Sequence, residues 1–194
     1  MADREDIITP VGTLKYVFFN EPRDFEDDGR FKYDCKFVLR GADSEALKSS
    51  IDAVCRDGIG KPATSLKHAV WKDVEEDGDE YTEFTFKVNA MGTSKGGKPY
   101  SRKPIFLQAD GTPFGMEEPQ VGAGTRARIA LTPYCWSTKK GDKPTGLTLQ
   151  PRAVKIIELV ERKVRDAGHY ASAFEAEEGA TGGNGAVAPK AADF

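Results

Sequence analysis

The chain has 194 residues, 28 of them Lys or Arg and 31 Asp or Glu, for a formal net charge of −3. That length suits one domain with a tail, and no apolar run reaches the roughly 20 residues that a membrane helix needs. Three scattered cysteines, Cys35, Cys55 and Cys135, and two histidines give neither a disulfide frame nor metal-ligand spacing, and the acidic first residues lack the basic start of an export signal. Reduced thiols, an intracellular setting and no metal or cofactor are therefore expected.

Thr9 to Asn20 is rich in β-branched and aromatic residues and reads as a strand. An acidic turn leads to a second strand, Arg30 to Arg40. There Phe31, Tyr33, Cys35, Phe37 and Leu39 alternate toward one face, and Lys32, Asp34, Lys36, Val38 and Arg40 toward the other. Asp43 to Arg56 is the one helix, capped by Asp43 or Ser44, with Leu47, Ile51, Val54 and Cys55 as its stripe and Gly58 at its end. A hairpin follows, Lys67 to Val74 and Tyr81 to Met91, turning at Asp77-Gly78, with Phe84, Phe86, Val88 and Ala90 facing the core.

Gly92 to Pro99 nearly spells a phosphate-binding P-loop. Pro99 stands where the Mg²⁺-binding hydroxyl belongs and no helix follows, so nucleotide hydrolysis is rejected. The segment reads instead as a flexible basic loop, with Lys95, Lys98, Arg102 and Lys103 around Tyr100. Pro104 to Gln108 is a short strand with a turn at Asp110-Gly111. Gly146 to Glu158 closes the series, and Pro151 marks a bulge or an edge.

The stretch from Gly122 to Trp136 organises the rest. At period two it puts Ala127, Ile129 and Leu131 on a dry face and Arg126, Arg128 and Ala130 on a wet one. Tyr134 and Trp136 then project together, beside a turn carrying Lys139 and Lys140. Residues 95–163 hold 13 Lys and Arg against 6 Asp and Glu, whereas residues 1–94 hold 13 against 20. A cationic groove is thus compatible with an acidic chain. Flat rings for bases and cations for phosphates are what single-stranded nucleic acid requires. Beyond about Val164 periodicity fades into a flexible, weakly acidic tail, residues 165–194, that ends in Asp193-Phe194.

Gly12-Thr13-Leu14, Phe31-Lys32-Tyr33-Asp34, the glycine-strand-Pro133-Tyr134-x-Trp136 block, Gly146 to Gln150 and the terminal Asp193-Phe194 together resemble the single-stranded DNA-binding proteins of short-tailed-phage replisomes. The resemblance covers roughly residues 9–160 and the last two. It implies an all-β chain with one helix: an OB-fold, a five-stranded Greek-key barrel with extra hairpins, over residues 1–164. It further implies a non-enzymatic, sequence-independent coat for single-stranded DNA in phage replication, recombination and repair. The setting would be the host cell cytoplasm, and the protein a monomer or weak homodimer. Under this reading Tyr100, Tyr134 and Trp136 stack bases. Lys95, Lys98, Arg102, Lys103, Arg126, Arg128, Lys139 and Lys140 hold phosphates, with Lys32, Lys36 and Arg40 extending the path. The tail would meet a phage DNA polymerase or helicase through Asp193 and Phe194. It departs from the family in its sparse acids, which weakens any competition with DNA. The alternative is a protein-binding β-domain, a virion or adaptor component with no nucleic-acid ligand.

Overall fold

The computed structural model describes residues 5–24, 27, 29–115, 117–138 and 142–162. Its strands are β1 (Ile7–Ile8), β2 (Gly12–Arg23), β3 (Lys32–Leu39), β4 (Trp71–Glu76), β5 (Asp79–Asn89), β6 (Met91–Thr93), β7 (Pro99–Ser101), β8 (Ile105–Leu107), β9 (Arg126–Trp136) and β10 (Gly146–Glu158). Helix α1 (Gly41–Ile59) lies between β3 and β4.

Hydrogen-bonded neighbours run β4-β5-β3-β2-β9-β10-β8, with β1 added to β9 and with β6 and β7 as a separate ribbon. Every described pairing is antiparallel except that of β8 with β10. The sheet curls until β10 packs against β5. Among the described residues no ladder joins those two strands, so the barrel is partly open, with a seam between them. Five long strands, β2, β3, β5, β9 and β10, in that pairing, with the helix after the second, make an OB-fold, which is a partly open Greek-key barrel.

Alternation explains the core. Phe37, Phe84, Phe86, Ile129, Leu131 and Leu149 all point inward from their strands and are fully buried. Leu47, Ile51 and Cys55 bring the helix stripe onto them. The Asp77-Gly78 turn has both residues at positive φ, 54° and 81°, as a two-residue hairpin turn demands. Pro151 marks a bulge, since the β9 register shifts between Pro151 and Ala153.

Several expectations are corrected. The first long strand starts at Gly12, because residues 9–11 carry the chain from β1 into β2. Phe31 precedes β3 and is exposed. The helix begins at Gly41 with no side-chain cap, and Ser44 instead turns inward to donate to Thr82 Oγ1 at 2.6 Å. It runs past Gly58 to Gly60, which takes the left-handed conformation (φ 78°). The hairpin's first arm starts at Trp71, after a short 3-10 turn at Ala63–Ser65. The loop from Gly92 to Pro99 is a ribbon, β6 on β7, closed by Ser94 N–H donating to Lys98 O at 2.9 Å.

Candidate nucleic-acid interface

The β9–β10 register sets Trp136 opposite Gly146, Tyr134 opposite Thr148 and Thr132 opposite Gln150. Alternate residues of β9 share a face, so Tyr134 and Trp136 both stand outside the barrel; Tyr134 is 46% exposed. Two contacts fix the indole. It lies on Gly146, where an added Cβ would come within 2.3 Å of Cζ2, and its Nε1 donates to Thr148 Oγ1 at 3.1 Å. His68 stands beside it, ring centroids 6.1 Å apart.

Trp136 sits at the seam between β10 and β5. One groove of about 310 Å³ is lined by His68, Thr85, Lys87, Trp136 and Thr148, together with the apolar residues that flank His68 and Thr148 in the chain. A second, of about 350 Å³, continues past Trp136 and Thr148 to Arg30, Lys32, Lys87, Asn89 and Gln150. Lys32 and Lys87 reach it from adjacent strands, since Lys32 pairs with Asn89 and Asp34 with Lys87. Asp34, the acid in that row, is bound by the Arg23 guanidinium at 3.2 and 3.0 Å. Arg30, Lys32 and Lys87 are thus the charged residues among those that line the two grooves. Among the described residues no cluster of His, Cys, Asp and Glu fits a metal ion, and burial raises the Cys35 thiol well above its ordinary value, which makes it a poor nucleophile.

The other predicted residues divide. Arg102 borders the seam and ties it to the ribbon: its N–H donates to Ala90 O at 2.9 Å and its Nη2 to Gln150 Oε1 at 2.7 Å. Its Nε is buried with no partner. Tyr100, 46% exposed, lays its ring over Gly92. Lys95 and Lys98 are exposed near the ribbon's tip. Lys103 is bound to Glu118. Lys36 lies further along β3, donating to Thr85 Oγ1 at 2.8 Å, and Arg40 pairs with Asp79 at 3.6 Å.

Arg126 and Arg128 do not join Trp136. Arg126 pairs with Glu158 at 2.7 Å, at the far end of an 11-residue strand, roughly 33 Å from Trp136 at strand rise. Arg128 faces Ile8, Thr9 and the helix residues Asp43, Ala46 and Ser50. Sharing a face of a strand does not make its two ends neighbours. Lys139, Lys140, Asp193 and Phe194 lie outside the described residues.

Sequence reasoning missed His68, Arg30, Lys87, Asn89, Thr148 and Gln150 as groove residues. Lys87 and Asn89 were legible as the wet face of β5. Their meeting with β10 was not, because the seam is a contact between strands with no ladder between them.

No family model matches the chain, and no curated protein matches it in sequence. Solved structures do. The single-stranded DNA-binding protein gp2.5 encoded by bacteriophage T7 is similar with a TM-score of 0.59 at 18% identity, over 92% of this chain and 99% of that one. The single-stranded DNA-binding protein from bacteriophage Enc34, in complex with single-stranded DNA, is similar with a TM-score of 0.55 at 15% identity, over 81% and 88%. Its C-terminal truncation gives 0.55 at 16%, over 81% and 87%. The chain shares the fold of these phage proteins.

Proposed function

We propose that the protein binds single-stranded DNA without strong sequence preference, laying bases on Trp136 and Tyr134 while Arg30, Lys32 and Lys87 hold the phosphates. The observation that carries this reading is an indole fixed at an open, cationic seam. A ring held in place by a glycine floor and a hydrogen bond loses little freedom when a base stacks on it, and base–aromatic stacking is worth about 1–3 kcal/mol per base. The site also falls where an OB-fold takes oligonucleotides, on its second and third barrel strands and its first and last loops. Here those strands are β3 and β5, with Arg30 just before β3 and Trp136 at the end of β9. The structurally similar phage proteins are single-stranded DNA-binding proteins, one of them solved with its ligand.

On this reading the protein serves phage DNA replication, recombination and repair in the host cytoplasm as a binding protein and not an enzyme. Residues 165–194 form its partner-binding tail, meeting a phage polymerase or helicase through Asp193 and Phe194. A version ending at Val164 binds DNA at least as tightly as the full chain, and tighter if the tail competes for the seam.

Titration with oligo-dT tests the reading. Tryptophan emission is quenched on binding and recovers with salt, and Trp136→Ala lowers affinity alike for dT, dC and dA oligomers, by about 5- to 100-fold. No response from the wild type at low salt refutes the proposal and leaves the protein-binding domain. A loss confined to one base contradicts stacking.

A further inference from the structure

Tyr16 interrupts β2. Its φ is 51°, in the left-handed region that side chains other than glycine avoid, and the ladder to β3 breaks between Lys15 and Phe18. The ring is 61% exposed, so neither core burial nor strand regularity accounts for a tyrosine there. It borders a depression of about 450 Å³ shared with Lys15, Lys36, Lys72 and Tyr81. Lys15 Nζ is 5.8 Å from the Tyr16 ring centroid and donates to the Tyr81 hydroxyl at 3.1 Å. Lys36 and Lys72 share one buried carboxylate, Glu83, at 3.4 and 3.3 Å. Lys15 also pairs with Glu76 at 3.7 Å, so the depression sets three ammonium groups against three carboxylates, of which Glu83 alone is buried. Glu75 and Glu76 form the far wall, and Glu76 is itself engaged by the Tyr81 hydroxyl at 2.7 Å.

This depression lies on the same faces of β3 and β5 as the seam. Lys36 stands opposite Thr85, which lines the Trp136 groove with Lys87, and Lys32 stands opposite Asn89 at the other end. Four residues of strand, about 13 Å, separate the two pairs.

We infer that Tyr16, with Lys15, Lys36 and Lys72 beside it, forms a second stacking subsite for single-stranded DNA, filled by a strand that already occupies the Trp136 seam. This rests on the proposed function, and the two stand or fall by different results. Anisotropy of labelled oligo-dT of about 4 and about 16 nucleotides, the range of OB-fold site sizes, is measured with three variants. Tyr16→Gly removes the ring and suits the backbone, so its melting temperature equals or exceeds the wild type's. It weakens the long oligomer by about 5- to 100-fold and leaves the short one within about 2-fold of wild type. Tyr16→Phe keeps the stack and binds both as the wild type does. Trp136→Ala weakens both. Unchanged binding of the long oligomer by Tyr16→Gly, or equal losses at both lengths, overturns the subsite while the seam survives. A wild type that binds neither oligomer ends both readings.

Discussion

At the scale of single residues, the site depends on what is missing at position 146. Any side chain there collides with the Trp136 indole, so Gly146→Val must expel the ring or move β10 away. Overpacking of this kind costs about 1–3 kcal/mol. The expected result is a red-shifted tryptophan emission, a lower melting temperature and weakened dT binding; unchanged emission and affinity would show that the indole needs no such floor. Asp73 makes a prediction about acid. Hydrogen bonds from the Lys48 ammonium and the Thr82 hydroxyl hold its carboxyl below the usual value. A depressed carboxylate contributes stability above its unfolded pKa, about 3.9, and loses it as pH falls through the folded value. Asp73→Asn therefore melts below the wild type at pH 7, and the gap closes as pH drops below about 4. A gap that persists in acid would assign the loss to packing. The outward pairing of Tyr134 with Trp136 was legible because strand parity is local. Phe31 was misread because its strand begins one residue later, where parity no longer applies.

At the scale of elements, the basic loop turned out to be built structure. Among the described residues β6 and β7 pair only with each other, and Arg102 fastens them to β10 through Gln150. Hydrogen bonds to a charged group are worth about 1.5–3 kcal/mol, enough to decide whether a three-residue ribbon stays docked. Arg102→Met keeps the aliphatic stem and removes the fork. Amide exchange in β6 and β7 should then quicken while β9 and β10 keep their protection, and dT affinity should fall less than for Trp136→Ala. Equal exchange in the variant and the wild type would mean that the ribbon holds itself. The sequence signalled a glycine- and lysine-rich segment but not this docking, because the partner, Gln150, lies 48 residues away. The long strands were legible for the opposite reason: each carries its own alternation, and the Asp77-Gly78 turn names its hairpin.

At the scale of the whole molecule, charge is sorted along the strands. The β4–β5 turn carries Glu75, Glu76, Asp77, Asp79 and Glu80, whereas Arg30, Lys32 and Lys87 gather at the Trp136 end. A negative net charge therefore coexists with a cationic seam, and a polynucleotide is drawn first to the Trp136 end of the β3–β5 face. Mass action in counterions makes this measurable. For single strands log K falls with log salt by about 0.7 for each phosphate neutralised. If about four phosphates are held, the slope is near −3. Lys32→Ala and Lys87→Ala should each make it shallower by about 0.7 and, acting on different phosphates, by about 1.4 together. Arg126→Ala, at the far end of β9 and paired with Glu158, should leave it unchanged. A slope altered by Arg126→Ala but not by Lys87→Ala would place the polynucleotide along the opposite end of the barrel and remove Trp136 from its path.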